Sequence, residues 1–384
     1  MNMNLPASRT PNFIRQTGLS LVEMMVSIAI SLVVLSGVVN VLVVSKSNFI
    51  SLREMSALQE NARFALKYMT DEIRMSGASG CSAPVQVGNA INGGSAAWYM
   101  SGVGLKGYEY DAGINTFPAD FRASVRTNTD ALAISRGSST GLQVTGHNAN
   151  SAVISLATNT SYPQGTIFVM GSANCDAVGI FQMTGPNNGN ANNIVHNTGG
   201  SIAPGNCSKG IGVAPTFASA DCTTAANLAN VSFGAGATLS LLQSEAYFVG
   251  NSESDSTVPA LLRQRMALNT GTSTPYTLSE ELVQGVENMQ ILYGVDRIVS
   301  STGAVGNDGL ADVYVKASGI TGIAPWIWSN VVSVRLTLRM RSINPVYANN
   351  ETYPVFEGIT GTDGTDRYMR QTVSSTVMIR NYKK

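Results

Sequence analysis

Hydrophobic and polar positions along the chain follow three successive rhythms. Over residues 19–45 nearly every side chain is apolar or small, and Glu23 is the one charge. The uncharged stretch 24–45 would span about 33 Å as a helix, enough for the ~30 Å hydrocarbon core of a bilayer. Next, Leu52, Met55, Leu58, Ala62, Leu66, Met69 and Ile73 recur at steps of three and four, with Arg53, Glu54, Glu60, Arg63, Lys67, Asp71 and Arg74 largely on other faces. That period predicts a single helix over about 20–75, its second half amphipathic and packed on a sheet, ended by Gly77 and Gly80.

Beyond Cys81 the pattern changes to short apolar runs separated by Gly, Asn and Ser. Runs at 131–134, 152–156, 166–170 and 179–183 read as strands, and the asparagine-rich stretch 185–200 as a loop. A second set follows at 245–249, 260–268, 289–295, 311–317, 332–340 and 372–380. In it Val334, Leu336, Leu338 and Met340 alternate with Arg335, Thr337 and Arg339, as expected of a strand buried on one face. The expected class is α+β: a long N-terminal helix packed on an antiparallel β-sheet head of one lobe or two. The expected divisions are 1–18, 19–45 (membrane helix), 46–76 (its amphipathic continuation), 77–240 (a Gly/Asn/Ser-rich β region) and 241–384 (a C-terminal β region).

Charge narrows the classes of function. Among 384 residues, 24 basic and 24 acidic side chains cancel and only 12% are charged. The basic residues are scattered, so no electrostatic footprint for nucleic acid is present. Arg9 and Arg15 precede the apolar stretch and no comparable cluster follows at once, which orients the N-terminus to the cytoplasm and exports the remainder. An ordinary cleaved signal would have a shorter apolar core with a small-residue site after it. Here the conspicuous small residue, Gly18, comes before the core, so a cut there would leave the helix on the mature chain. Glu23 is costly in a membrane helix and calls for a positive partner, which a freshly exposed α-amino group could supply.

The run Gln16-Thr17-Gly18-Leu19-Ser20-Leu21-Val22-Glu23 resembles the class III signal of type IV prepilins and pseudopilins. That resemblance implies cleavage between Gly18 and Leu19 by a prepilin peptidase, N-methylation of Leu19, and a charge pair between Glu23 and the terminal amine of a neighbouring subunit. The leader is longer than the shortest in the family, and Leu19 stands where phenylalanine is commoner. Further on, Ala246–Ser252, Ala260–Arg265, Glu281–Asp296, Trp328–Arg335 and Thr372–Asn381 resemble the PilW family of minor pilins, and the whole is also similar to the larger minor pseudopilins of type II secretion. Membership implies a bacterial inner-membrane subunit with a periplasmic head that later joins a pilus at its tip. Its implied partners are other minor pilins, the major pilin and a large tip adhesin. Its implied work is to prime polymerisation and so support twitching, adhesion or DNA uptake. The alternative is service in a type II secretion pseudopilus.

For chemistry the chain offers little. It contains no HExxH and no phosphate loop, no GxSxG elbow at a strand-to-helix turn and no GxGxxG after a strand, and we expect neither an enzyme nor a cofactor. His147 and His196 lie in separate polar stretches and read as surface residues. Asp296, Asn307, Asp308 and Asp312 could supply oxygen ligands to calcium, but their spacing is not that of an EF-hand, and Gly306-Asn307-Asp308-Gly309 is first a hairpin-turn signal. Cys81, Cys175, Cys207 and Cys222 are an even set in an exported chain, which points to disulfides in one of three connectivities. We favour Cys207–Cys222 as a local staple and Cys81–Cys175 as a longer tie, against four free thiols.

Overall fold

The computed structural model describes residues 18, 20–81, 86–94, 97–102, 104–110, 117–186, 191–199, 202–217, 219–296, 309–322, 328–356 and 364–381. Its contacts divide into two units, Met1–Arg53 and Glu54–Lys384. One helix, α1 (Leu21–Arg74), supplies the described core of the first unit and opens the second. In the first unit its apolar side chains lie open, from Leu21 to Val44. It is the one helix among the described residues long and apolar enough to cross a membrane.

In the second unit the same helix is amphipathic. Leu58, Ala62, Ala65, Met69 and Ile73 are buried at steps of three and four, a stripe that places each against the sheets. The expected stripe needs correction at its start. Leu52 and Met55 are exposed, and Glu54, assigned to the polar face, is buried in their stead. Its carboxylate accepts hydrogen bonds from the backbone N–H of Asn344 at 3.3 Å and from Asn344 Nδ2 at 2.8 Å, which is what makes that burial tolerable. After Arg74 the backbone turns through Gly77 (φ 74°) and Gly80 (φ 83°), left-handed values that glycine adopts without strain.

Strands are numbered along the chain. A nine-stranded sheet contains β1 (Gln86–Asn89), β2 (Gly104–Tyr108), β3 (Ala131–Ser139), β6 (Ile167–Gly171), β7 (Ala177–Gln182), β10 (Ser219–Asp221), β12 (Thr238–Asn251), β13 (Pro259–Asn269) and β14 (Thr274–Gln284). Its order is β10-β1-β7-β6-β12-β13-β14, with β3 also on β12 and β2 outside β3. Only β1's pairings, with β7 and β10, are parallel. Strand β12 is the hub: Thr238–Leu241 pair with β6, Ser240–Phe248 with β3, and Glu245–Asn251 with β13. A four-stranded antiparallel sheet has the order β16 (Val313–Val315), β15 (Val286–Val295), β17 (Val331–Arg341) and β20 (Arg370–Met378). A three-stranded sheet has the order β4 (Val144–Asn148), β5 (Val153–Thr160) and β8 (Ala191–Val195). Two small pairs complete the set: β9 (Gly212–Val213) with β11 (Leu228–Ala229), and β18 (Glu351–Tyr353) with β19 (Gly364–Asp366).

One apolar core joins the helix to both large sheets. It contains Leu58, Met69 and Ile73 from α1, Leu132 and Tyr247 from the nine-stranded sheet, and Met289, Ile291, Leu336 and Leu338 from the four-stranded sheet. Each such side chain contributes about 1.5–3 kcal/mol by leaving water. The alternation read in β17 is real on its inner face: Val334, Leu336, Leu338 and Met340 are all fully buried. The stretch 185–200, expected to be a loop, instead contains β8, paired with β5 through Ile154 and Ile194. Asn192 and Asn193 break its apolar pattern, and Ile194 alone of its residues is fully buried.

Candidate functional site

The sequence placed function at the start of α1. Gly18 is exposed, and a Cβ added there would meet nothing within 4 Å. The fold therefore does not require glycine at that position. Leu19, the other half of the expected cleavage site, lies outside the described residues. Ser20 and Glu23 form a reciprocal pair at the helix N-terminus: Ser20 N–H donates to Glu23 Oε2 at 3.0 Å, and Glu23 N–H donates to Ser20 Oγ at 3.2 Å. This is a capping box, satisfying two backbone donors that the first turn would otherwise leave unpaired. It also sets the carboxylate at the positive end of the helix dipole. Ser-x-x-Glu is a readable capping signal, and the sequence reading passed over it in favour of an intermolecular role for Glu23. Past the cap, apolar side chains from Leu21 to Val44 form an exposed surface on all sides of the helix.

The other candidates are distributed through the head. Cys81 pairs with Cys175 (Cα–Cα 5.3 Å) and Cys207 with Cys222 (Cα–Cα 5.9 Å). Of the calcium candidates, Asn307 and Asp308 lie outside the described residues. Asp296 is buried at the end of β15, and its Oδ2 accepts the Gly309 N–H at 2.8 Å, while Asp312 N–H donates to Val295 O at 3.0 Å. Among the described residues no group of three or more His, Cys, Asp or Glu side chains is placed to hold a metal. A cavity of about 330 Å³ beyond the C-terminal end of α1 is lined by Trp98, Leu105, Lys106, Tyr108 and Trp328, and no histidine, carboxylate or cysteine lines it among the described residues.

The histidines require a correction. His196 is fully buried, and its Nε2 lies 3.0 Å from Nε2 of His147. The two are 49 residues apart in sequence, and neither local stretch signals the contact; only the strand pairing that brings β4, β5 and β8 together produces it.

The head's C-terminal part carries the decisive comparison. A family model described as type IV pilus-assembly protein W matches residues 246–381, from within β12 through β20. A second, the prokaryotic N-terminal methylation motif, matches residues 14–39. Together these matches support a class III signal pilin of the PilW family. No curated protein and no solved structure matches it. The PilW match takes in β13, β14 and the whole four-stranded sheet, the strands that close the core on the α1 stripe. The methylation-motif match takes in Gly18, the Ser20–Glu23 cap and the exposed apolar start of α1. The two matches thus fall on the two ends of the chain that define a pilin: a long apolar N-terminal helix fit for membrane anchoring and pilus association, and a β head. Pilins work through other pilins, and this family is structural rather than catalytic.

Proposed function

We propose that this pilin is a minor subunit that primes pilus polymerisation and stays at the tip. The observation that carries the reading is the joint match of a methylation signal and a PilW head in one chain. In this reading a prepilin peptidase cuts between Gly18 and Leu19 and Leu19 is methylated. The apolar half of α1 rests in the inner membrane with its N-terminus cytoplasmic and the head periplasmic. On assembly the helix leaves lipid for a bundle of other pilins, minor and major, and the head reaches the cell surface, where it can carry a large adhesin. A head running from Glu54 to Lys384 suits a tip, where no subunit packs above it. Twitching, adhesion or DNA uptake would follow from the pilus.

Glu23 supports the reading in a specific way. Among the described residues the cap's bond to Oε2 is the one hydrogen bond to the Glu23 carboxylate, which leaves its charge available to an incoming α-amino group. The test is complementation of a deletion strain. With Glu23→Ala we expect normal processing, detected as the shorter chain on a blot, and loss of surface pili. Full piliation in that strain would overturn the assembly role. Loss of protein export with pili intact would point to a secretion pseudopilus instead.

A further inference from the structure

The paired histidines, His196 fully buried and His147 half-buried, are titratable groups that the proposed assembly role does not use. His147 lies in β4 and His196 directly after β8, with ring centroids 5.2 Å apart. Phe233, just before β12, stands 5.6 Å from the His147 ring, and Phe181 of β7 stands 5.0 Å from that of His196. The backbone is held as firmly: His196 N–H donates to Ala152 O at 2.9 Å, Asn206 Nδ2 donates to His196 O at 3.2 Å, and Ser232 Oγ donates to His147 O at 3.2 Å.

These contacts fix where the ring protons sit. The backbone N–H of Phe233 donates to His147 Nδ1 at 3.2 Å, so that nitrogen is unprotonated and the His147 proton is on Nε2. His147 Nε2–H then donates to His196 Nε2, and the His196 proton is on Nδ1, which is buried without a partner. A metal ion does not suit this arrangement, because His147 would have to give up both nitrogen lone pairs and become an imidazolate. A proton suits it no better. On His147 Nδ1 it would face the Phe233 N–H, and on His196 Nε2 it would face the proton of His147. No nearby charge eases the conflict: Phe181, Phe233, Ala152 and Asn206 are uncharged, and among the described residues no carboxylate or cation acts on either ring.

We propose that the His147–His196 pair is an acid-released latch, which holds the β4–β5–β8 sheet closed over the Phe168–Phe181–Phe233 core at neutral pH and lets it open when either ring gains a proton. The sign follows from burial. Desolvation pulls His147 down to about 4, and desolvation together with the neighbouring His147 pulls His196 down to about 3, both from 6.5. The open state therefore binds more protons below pH 6.5, and closure weakens as pH falls through that value. Each ring can favour opening by about thirtyfold at pH 5 relative to pH 7.5.

The test is amide hydrogen exchange on the full mature chain in detergent at pH 7.5 and 5.0, corrected for intrinsic rates. Opening of peptides over 144–160 and 191–199 should rise more than tenfold at pH 5.0, while peptides over 331–341 in β17 stay protected. The variants His147→Gln and His196→Gln should each lose the contribution of their own ring, and the double variant should lose nearly all of the response. Should either variant be unprotected already at pH 7.5, selective ¹⁵N labelling of the two histidines in the unaltered chain decides. The expected spectrum shows the proton on Nε2 of one ring and Nδ1 of the other, with no midpoint above 5 while the sheet is closed. Opening that is unchanged at pH 5.0, a full response retained in folded variants, or a ring titrating near 6.5 with the sheet still protected would each overturn the latch.

Discussion

Two carboxylates show how position alone sets what an acidic residue does here. Glu23 sits at the first turn of α1, where its local partner is the Ser20 amide; its proposed remote partner is the α-amino group of a neighbouring subunit. The two roles separate by substitution. Ser20→Ala removes one of the two capping bonds, costs the helix start about 1 kcal/mol and leaves the carboxylate in place. Piliation should therefore survive Ser20→Ala and fail in Glu23→Ala, counted on the same deletion background. Equal loss in both strains would assign Glu23 to the cap. Asp130 is the opposite case, a carboxylate sealed between β3 and β15. Its Oδ2 accepts the Ile291 N–H at 2.9 Å and its Oδ1 the Tyr110 N–H at 3.4 Å. Burial nevertheless dominates and pushes it up to about 7. Because the folded value lies above the ordinary 3.8, the folded state binds the extra proton, and this contribution to stability is lost as pH rises from about 4 to about 7. Unfolding free energies of the chain and of Asp130→Asn, taken across that range, should diverge by up to about 1.4 kcal/mol per pH unit. The difference between the two carries the sign, since the histidine pair slopes the other way. A pH-independent difference would show that the two N–H bonds outweigh burial.

At the scale of elements, a charged cluster locks β15, β20 and the β18–β19 pair together. Arg370 donates from Nε and Nη2 to Glu287 at 2.7 and 2.8 Å and from Nη1 and Nη2 to Asp366 at 2.7 and 2.6 Å, with its guanidinium 3.6 Å from the centre of the Tyr353 ring. Arg339 adds a bond to Pro354 O at 2.7 Å and lies over the same ring. Arg370 is only 10% exposed, so removing it strands Asp366 and leaves Glu287 with the longer ion pair to Arg339 at 3.5 Å. Arg370→Ala should cost about 3 kcal/mol in chemical denaturation. Arg370→Lys should recover only part, because an ammonium cannot form the two-pronged contact or stack flat on tyrosine. Loss below about 0.5 kcal/mol in the alanine variant would mean the cluster is solvated in practice. None of this was visible in the sequence, where Glu287, Asp366 and Arg370 are unremarkable surface types. The strands themselves were more legible. The β17 alternation named the buried face correctly, because a strand between two partners with one dry face leaves a period of two in its own sequence. Strands β8 and β14 were not found. The first carries Asn192 and Asn193 and buries only Ile194, and the second, at a sheet edge, has no buried residue before Val283.

For the molecule as a whole, the disulfides brace a part of the head that includes the short strands β1, β9 and β10. Cys207–Cys222 closes a loop of 15 residues whose middle, at Ile211, presses its backbone onto β1 and β7. The contact is close enough that a Cβ on Gly179 would stand 2.8 Å from Ile211 O. Cys81–Cys175 ties the chain just after α1 to the turn between β6 and β7, 94 residues away. By loop closure the two are worth about 3 and nearly 5 kcal/mol. Reduction should therefore lower the melting temperature of the head markedly, and the Cys81–Cys175 pair should matter more. This is measurable with Cys81→Ser/Cys175→Ser and Cys207→Ser/Cys222→Ser double variants. Unchanged melting on full reduction would show that the loops are held by packing alone.

The sequence by itself determined the long helix, its apolar first half and amphipathic second half, the α+β class and the PilW resemblance. Each of these is written in neighbouring residues: an uninterrupted apolar run, a step of three and four, a glycine before a glutamate. The tertiary structure decided which polar residues are inside. Glu54 displaced Leu52 and Met55 from the packed face because Asn344, 290 residues away, satisfies it. His147, half-buried, and His196, fully buried, became one pair because β5 joins β4 to β8. Burial of a polar group depends on a partner supplied from elsewhere in the chain, and that information is not local. Glu23 stands at the boundary between the two kinds of knowledge. Its cap is local, readable as Ser-x-x-Glu, whereas the inter-subunit pairing proposed for its charge belongs to the assembly.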